Sequence, residues 1–152
     1  EDKTSIIKAI GGGNILIIGT SNDSVLKAGK AAVNEMRKVD NIILPFPGGI
    51  VRSGSKVGSK YKSLIASTND AYCPTLKGIT KTNIDKDIES VLEIVIDGIN
   101  EKDIALAMKK GINIICKKFN KDIKSISAGN YGGKLGPFHF HLKDIMKWVI
   151  FL

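Results

Sequence analysis

The chain has 152 residues, of which 43% are hydrophobic and 25% are charged. That size and composition are ordinary for one globular domain with a buried core. No apolar stretch approaches the roughly 20 residues of a transmembrane helix and no secretory leader is recognised, so we expect a cytoplasmic protein without a membrane partner. The formal net charge of +8 favours anionic partners, whether nucleic acid, a membrane surface or polyanionic small molecules.

The first part of the chain predicts a strand, a helix and a second strand. The run "NILIIGT" (14–20) is apolar and β-branched, which is typical of a buried strand, and the glycines before it (11–13) predict a turn. Apolar residues at three- and four-residue spacing then predict a helix from Asn22 to about Asp40. The following "NIILPF" (41–46) predicts the second strand.

The second part of the chain repeats this order. "VLEIVID" (91–97) predicts a third strand, and Asn100 is the expected N-cap of the helix that follows. "KSISAGN" (124–130) and "FHFHL" (138–142) predict further extended segments. The order β-α-β-β-α-β predicts an α+β fold, a ferredoxin-like split β-α-β sandwich with two helices on one face of an antiparallel sheet. Residues 1–152 would form a single lobe of this type.

A long segment, residues 48–90, separates the second predicted strand from the third. Insertions of this length in a compact domain are usually functional or disordered, and its apolar and aromatic content favours a functional insertion. Its last part (77–90) predicts a solvated surface loop. Its first part (48–60), rich in Gly, Ser and Lys, fits either an anion-binding loop using Lys56 and Lys60 or a flexible basic loop.

The remaining metal-binding and nucleophilic residue types give weak signals. His139 and His141 share one face of the predicted strand 138–142, but no third ligand stands at a recognisable spacing, so we expect no metal site. Cys73 and Cys116 are far apart, which suits free thiols in a reducing cytoplasm better than a disulfide scaffold.

Glu93 is the most informative single residue, because it lies inside an apolar strand. Alternation places Ile94 and Ile96 on one face, towards the helices, and Glu93 between two valines on the other. If that second face is covered, burial raises the carboxyl pKa and Glu93 can act as an acid near neutral pH. The alternative, which the pattern leaves open, is a glutamate paired with a lysine at a sheet edge.

Four segments carry a resemblance to a known family: "LPFPGGIVRSGSKVGSK", "LIASTNDAYCPT", "LEIVIDGINE" and "SISAGNYGGKLG". At these segments the chain resembles the formylmethanofuran:tetrahydromethanopterin formyltransferases of methanogenic archaea, and a bacterial formyltransferase/hydrolase complex subunit is a related possibility. The resemblance covers only the second half of the family's polypeptide. The resemblance implies two ferredoxin-like lobes per chain, this one being the second, in a homo-oligomer.

The resemblance also implies an activity. It is formyl transfer from formylmethanofuran to N5 of tetrahydromethanopterin, two coenzyme substrates, without a prosthetic group. Both coenzymes carry carboxylates and the pterin carries a phosphate, which suits a basic chain and makes nucleic acid unnecessary as a partner.

Residue by residue, Glu93 matches the family's catalytic glutamate. From the matching motifs we further expect these substrate-binding residues: Gly48, Gly49, Lys56, Lys60, Ser67, Thr68, Asn69, Asp70, Asn130 and Tyr131.

The chain departs from the family pattern in three ways. The first lobe is missing, "KWVIFL" extends past the usual end, and His139 stands where an acidic residue is expected. Two other functions therefore stay open: a non-catalytic coenzyme-binding or assembly subunit, and a basic ferredoxin-like domain that binds RNA.

Overall fold

The structure is a computed structural model that describes residues 3–54, 69–129 and 136–147. Its strands are β1 (Ile10–Gly19), β2 (Ile42–Ile43), β3 (Val51–Arg52), β4 (Ser90–Gly98) and β5 (Ile123–Ser127). Its α-helices are α1 (Asn22–Met36), α2 (Glu101–Lys118) and α3 (Leu142–Lys147). Short 3-10 turns lie at Pro47–Gly49, Asp70–Tyr72 and Pro74–Leu76. No helix within these ranges is long and apolar enough to cross a membrane.

The strands form one antiparallel sheet in the order β2-β4-β1-β5. The predicted α+β fold with an antiparallel sheet is therefore confirmed. Strand β3 also pairs with β4, so β2 and β3 lie one after the other along the same side of β4. Of the single strand predicted at 41–46, only Ile42–Ile43 is a strand. It ends before Pro45 because proline cannot donate to the ladder, and β3 follows after the turn Pro47–Gly49.

The main core lies between the sheet and the two long helices. Ile15 and Ile17 of β1 and Ile94 and Ile96 of β4 point to this side and are fully buried against α1 and α2. Both helices begin as predicted: Asn100 caps α2, accepting the Asp103 N–H, and α1 begins at Asn22. Helix α1 ends at Met36 rather than near Asp40, in a turn that leads to Asn41 with φ of 61°.

The opposite face of the sheet is covered by the segment before β4. Leu16, Ile18 and Val91 of that face pack against Ile84 and Ile88 in a second core. The Lys77 ammonium fastens the covering segment by donating to the carbonyl oxygens of Ile88, at 2.5 Å, and Lys86, at 2.9 Å. The prediction of a solvated loop at 77–90 was therefore wrong for Ile84 and Ile88, because the apolar second face needs a cover.

The glycines before the apolar run belong to β1, so the predicted turn at 11–13 was wrong. The strand bulges between Gly11 and Gly13, where the register against β4 shifts by one residue. Gly12 has φ of 115°, and its N–H donates to Oδ1 of Asp97 at 3.1 Å. A bulge that needs this backbone conformation explains the glycine there.

The predicted strand 138–142 was also wrong. Residues 138–141 are irregular, and α3 follows from Leu142. Alternation over five residues is a short signal, whereas Leu142 and Ile145 have helical spacing and both pack into the main core. The rings of His139 and His141 stack with centroids 6.4 Å apart in the segment before this helix.

Candidate active site

Glu93 lies in the interior of the sheet, on the face away from α1 and α2. Its Cα pairs with Leu16 of β1 on one side and with Val51 of β3 on the other. Only 9% of the residue is exposed. Because strands flank it on both sides, the alternative of a position at a sheet edge was wrong. Its hydrogen-bond partners among the described residues are asparagine amides.

Two asparagine side chains hold the Glu93 carboxyl group. Nδ2 of Asn14, on the neighbouring strand β1, donates to Oε1 at 2.5 Å. Nδ2 of Asn69, just before the turn Asp70–Tyr72, lies 3.2 Å from Oε1 and 3.2 Å from Oε2. Both amides are buried with the carboxyl group, at 8% and 7% exposure for Asn14 and Asn69. The group is therefore fixed by donors from two separate parts of the chain.

Gly129, which follows β5, completes this arrangement. Its backbone N–H donates to Oδ1 of Asn14 at 3.0 Å. A Cβ at this position would stand 2.4 Å from Oδ1 of Asn69 and 3.0 Å from Nδ2 of Asn14. Any larger residue at position 129 would therefore displace the amides that hold Glu93.

Opposing effects act on the Glu93 carboxyl pKa. Burial raises the pKa above its ordinary value, because removal from water disfavours the charged form. The hydrogen bonds from Asn14 and Asn69 stabilise the carboxylate and act in the opposite direction, but burial is the larger effect and the pKa is raised. Among the described residues, no cation contributes to this shift of the Glu93 pKa. Glu93 therefore keeps its proton to higher pH than an exposed glutamate does, which suits a group that donates a proton and takes it back.

Glu93 opens onto a cleft of about 390 Å³. Among the described residues, its lining consists of Gly11, Gly12, Asn14, Glu93, Val95, Gly129, Gly136, Pro137, Phe138, His139 and Phe140. Most of these are apolar or glycine, and Glu93 and His139 are the titratable ones. An apolar cleft with one protonatable carboxyl suits reactions in which a substrate oxygen or nitrogen exchanges a proton as it gains or loses charge.

The predicted site residues are distributed unevenly around this cleft. Asn69 contacts Glu93 directly, whereas Oδ1 of Asp70 accepts the N–H of the next residue, Ala71, at 3.0 Å. Gly48 (φ 70°) and Gly49 (φ 81°) form a turn, and Gly49 packs closely against Val33 of α1. Neither glycine is among the residues that line the cleft. Other predicted residues lie outside the described part of the chain: Lys56, Lys60, Ser67, Thr68, Asn130 and Tyr131.

Sequence reasoning missed Asn14 and Gly129. A usable signal existed for Asn14, since it is a polar residue on the same face of β1 as buried Leu16 and Ile18. No local signal marks Gly129, whose role depends on side chains 60 and 115 residues away in the chain. Over residues 3–54, 69–129 and 136–147, no three His, Cys, Asp or Glu side chains are grouped as metal ligands would be.

Comparison with known families and proteins gives one consistent result. Residues 1–145 match the family described as "FTR, proximal lobe". The formylmethanofuran–tetrahydromethanopterin formyltransferase of Methylobacillus flagellatus is 61% identical over 147 residues, which are 96% of this chain and 49% of the relative. The enzyme of the same name from Methanocaldococcus jannaschii is 48% identical, over 97% of this chain and 50% of the relative. The chain thus spans about half the length of the curated relatives it matches.

Solved structures show the same likeness. The formyltransferase/hydrolase complex of Methylorubrum extorquens, solved with methylofuran, contains a chain that superposes with a TM-score of 0.80 at 44% identity. That alignment covers 91% of this chain and 46% of the other. The formylmethanofuran:tetrahydromethanopterin formyltransferase of Methanosarcina barkeri gives a TM-score of 0.79 at 46% identity, over 91% and 47% of the two chains.

Proposed function

Because the chain belongs to the FTR family, whose proximal lobe it matches, we propose that it is the C-terminal lobe of a formyltransferase and carries the catalytic glutamate. The reaction is transfer of the formyl group from N-formylmethanofuran, or a methylofuran-type analogue, to N5 of tetrahydromethanopterin. Both coenzymes act as substrates. The relatives' names supply the activity, and the buried carboxyl group of Glu93 is the feature of this chain that supports it.

We propose that the lobe is ferredoxin-like. Four features support this: the strand order β2-β4-β1-β5, antiparallel neighbours, two long helices on one face, and the insertion 48–90 before β4. An N-terminal lobe of the same enzyme is the expected partner, within a homo-oligomer. The two free cysteines, buried Cys73 and exposed Cys116, are consistent with action in the reducing cytoplasm.

Formyl transfer sets chemical demands that Glu93 can meet. The lone pair of N5 attacks the formyl carbon and forms a C–N bond, and the formyl oxygen gains negative charge in the tetrahedral intermediate. Collapse breaks the bond to the donor amine, which takes up a proton while N5 loses one. A protonated Glu93 donates a hydrogen bond to the developing oxyanion, or supplies the proton to the leaving amine. Its raised pKa favours the protonated form compared with an exposed glutamate.

The cleft and the charge of the chain are suited to these coenzymes. Apolar lining from Val95, Phe138 and Phe140 can bury part of a ring system while Glu93 faces the reacting atoms. The carboxylates and the pterin phosphate of the coenzymes are anionic, and a chain with a net charge of +8 favours binding them. We assign their contacts to Lys56 and Lys60.

The test is formyl transfer catalysed by this chain together with the N-terminal half of the Methylobacillus flagellatus relative, compared with the chain alone. The decisive variant is Glu93→Gln, which keeps size and shape but removes the proton. We expect kcat to fall by at least about a hundredfold, because the glutamine amide can still donate a hydrogen bond but cannot transfer a proton. Glu89→Gln is the matched control, because Glu89 is exposed immediately before β4, and it should keep native turnover.

Unchanged turnover in Glu93→Gln would remove the residue from the mechanism. Coenzyme binding without turnover in the reconstituted native protein would favour the non-catalytic binding or assembly subunit instead. The RNA-binding alternative would require tight, steeply salt-dependent RNA binding.

A further inference from the structure

We propose that the Gly129 backbone N–H, acting through Asn14, positions Glu93 so that Oε2 is the oxygen that carries and donates its proton. This inference deepens the proposed function and rests on it for its catalytic meaning. The residues assigned here are positioning residues, because they contact the carboxyl group and not the reacting atoms.

The first step is the orientation of the Asn14 amide. An amide side chain has an accepting oxygen and a donating nitrogen that can exchange places by rotation. The Gly129 N–H, 3.0 Å from Oδ1, can only donate, so it selects the oxygen on its side. Nδ2 must then face Glu93. The opposite rotamer would place two donors against each other at Gly129 and two oxygens against each other at Glu93.

The second step is the asymmetry between the two carboxyl oxygens. Oε1 accepts from Asn14 at 2.5 Å and also from Asn69 at 3.2 Å. Among the described residues, the one donor to Oε2 is Nδ2 of Asn69, at 3.2 Å. A proton on Oε1 would face two N–H donors, whereas a proton on Oε2 leaves both donors satisfied by Oε1. The neutral carboxyl group therefore presents an Oε2–H donor.

The third step is the requirement for glycine at position 129. Its missing Cβ would stand 2.4 Å from Oδ1 of Asn69 and 3.0 Å from Nδ2 of Asn14. Real Cβ contacts are not as short as 2.4 Å, so an alanine would displace the amide groups that donate hydrogen bonds to Oε1. Gly11 lines the same cleft, but a Cβ there would meet only Oδ1 of Asp97, at 3.5 Å.

The other charged groups near this face are few among the described residues. β1 has no titratable side chain (IGGGNILIIG), and Arg52 of β3 pairs with Leu92, whose side chain points to the helices. Asp97 lies on the Glu93 face at the bulge, Asp70 and Tyr72 follow Asn69, and His139 lines the cleft. The causes of the shift in the Glu93 pKa are burial, which raises it, and the amides of Asn14 and Asn69, which lower it.

The test that needs no variant is an NMR titration of the native chain. The Glu93 side-chain carboxyl carbon, the Asn14 side-chain NH₂ and the Gly129 backbone N–H are followed from pH 4 to pH 9. We expect both nitrogen-bound hydrogens to shift with the same midpoint as the Glu93 carboxyl, because the relay joins all three groups. A Gly129 or Asn14 signal that ignores the Glu93 midpoint would overturn the proposal.

Variants then test the consequence. Asn14→Leu, similar in volume but without a donor, and Gly129→Ala should each move the Glu93 midpoint to higher pH, because the carboxylate loses stabilising donors. Gly11→Ala should leave it in place. In the reconstituted enzyme, Asn14→Leu and Gly129→Ala should each lower kcat on the order of a hundredfold with little change in KM. They should also move the alkaline limb of the pH profile to higher pH.

The two readouts separate the possible failures. If the Glu93, Asn14 and Gly129 signals share one midpoint but the native reconstituted protein transfers no formyl group, the positioning holds and the proposed function fails. If folded Asn14→Leu and Gly129→Ala keep native midpoints and native pH profiles, the positioning fails whatever the activity.

Discussion

Nδ2 of Asn69 lies 3.2 Å from each oxygen of Glu93, so one amide bridges both ends of a buried carboxyl group. Asn69 belongs to the segment that covers the second face of the sheet, whereas Glu93 lies inside strand β4. The contact therefore joins the cover to the sheet at the cleft. Because both residues are buried, the interaction should contribute measurably to stability as well as to the state of the site.

A double-mutant cycle measures this contact. We expect Asn69→Ala to lower the free energy of unfolding by about 1–3 kcal/mol, because Glu93 loses a buried donor. Combined with Glu93→Gln, it should show a coupling energy of about 0.5–3 kcal/mol in urea denaturation. Asn113→Ala is the control partner, since Asn113 is exposed on α2 beyond the other face of the sheet. Additive effects for the Asn69 pair would contradict the contact.

Ile88 should be a stability determinant although it lies in a loop. It is 2% exposed and packs against Leu16, Ile18 and Val91 on the second face. We expect Ile88→Ala to cost about 2–5 kcal/mol, the usual loss for a large aliphatic core residue. Ile79, 73% exposed in the same segment, is the matched control. Urea titrations measure both variants, and the free energy of unfolding of Ile79→Ala should stay within about 0.5 kcal/mol of the native value. Equal effects would mean that the segment does not cover the sheet.

The elements predicted correctly are those whose signal is local. Each of these signals depends on residues within a few positions of each other: the helical spacing in α1 and α2, the Asn100 cap, and the alternation around Glu93. They therefore survive in the folded chain, with Ile94 and Ile96 in the main core and Glu93 on the other face.

The elements that were missed depend on distant partners. The bulge at Gly12 is fixed by Asp97, 85 residues away, and Asn14 finds Glu93 across 79 residues. The cover over the second face could not be located because the composition of 77–90 is that of a surface loop. The role of Ile84 and Ile88 becomes clear only once Leu16 and Val91 present an apolar surface.

Gly13 should be intolerant of a side chain for a reason different from that of Gly129. A Cβ at Gly13 would stand 2.3 Å from Cγ2 of Ile104, which fixes how closely α2 approaches β1. The β-branched Ile104 cannot easily move aside, so we expect Gly13→Ala to cost about 1–3 kcal/mol, as overpacked cores do. Gly11→Ala, two residues earlier in β1, meets only an ordinary contact with Asp97 and should change stability by less than about 0.5 kcal/mol. Urea titrations of both variants make the comparison, and equal midpoints would contradict the close approach.

The raised pKa of Glu93 predicts a specific pH dependence of stability. Burial raises the folded-state pKa above the ordinary value of 4.5, so the folded chain keeps a proton that the unfolded chain has already lost. This contribution to stability is complete below about pH 4.5 and is lost as pH rises through the folded-state pKa. Glu93→Gln cannot lose a proton. We therefore expect the free energy of unfolding of this variant to become larger relative to that of the native chain as pH rises from about 4.5 to 8.

The measurement is a series of urea denaturation curves at pH 4.5, 6 and 8 for the native chain, Glu93→Gln and Glu89→Gln. The exposed Glu89 variant makes the same change in net charge, so its slope against pH is the reference that is subtracted. A remaining upward slope for Glu93→Gln means that folding holds the Glu93 proton. A downward slope would mean that the amides of Asn14 and Asn69 outweigh burial and keep Glu93 ionised in the folded chain, in which case it enters the reaction as a base.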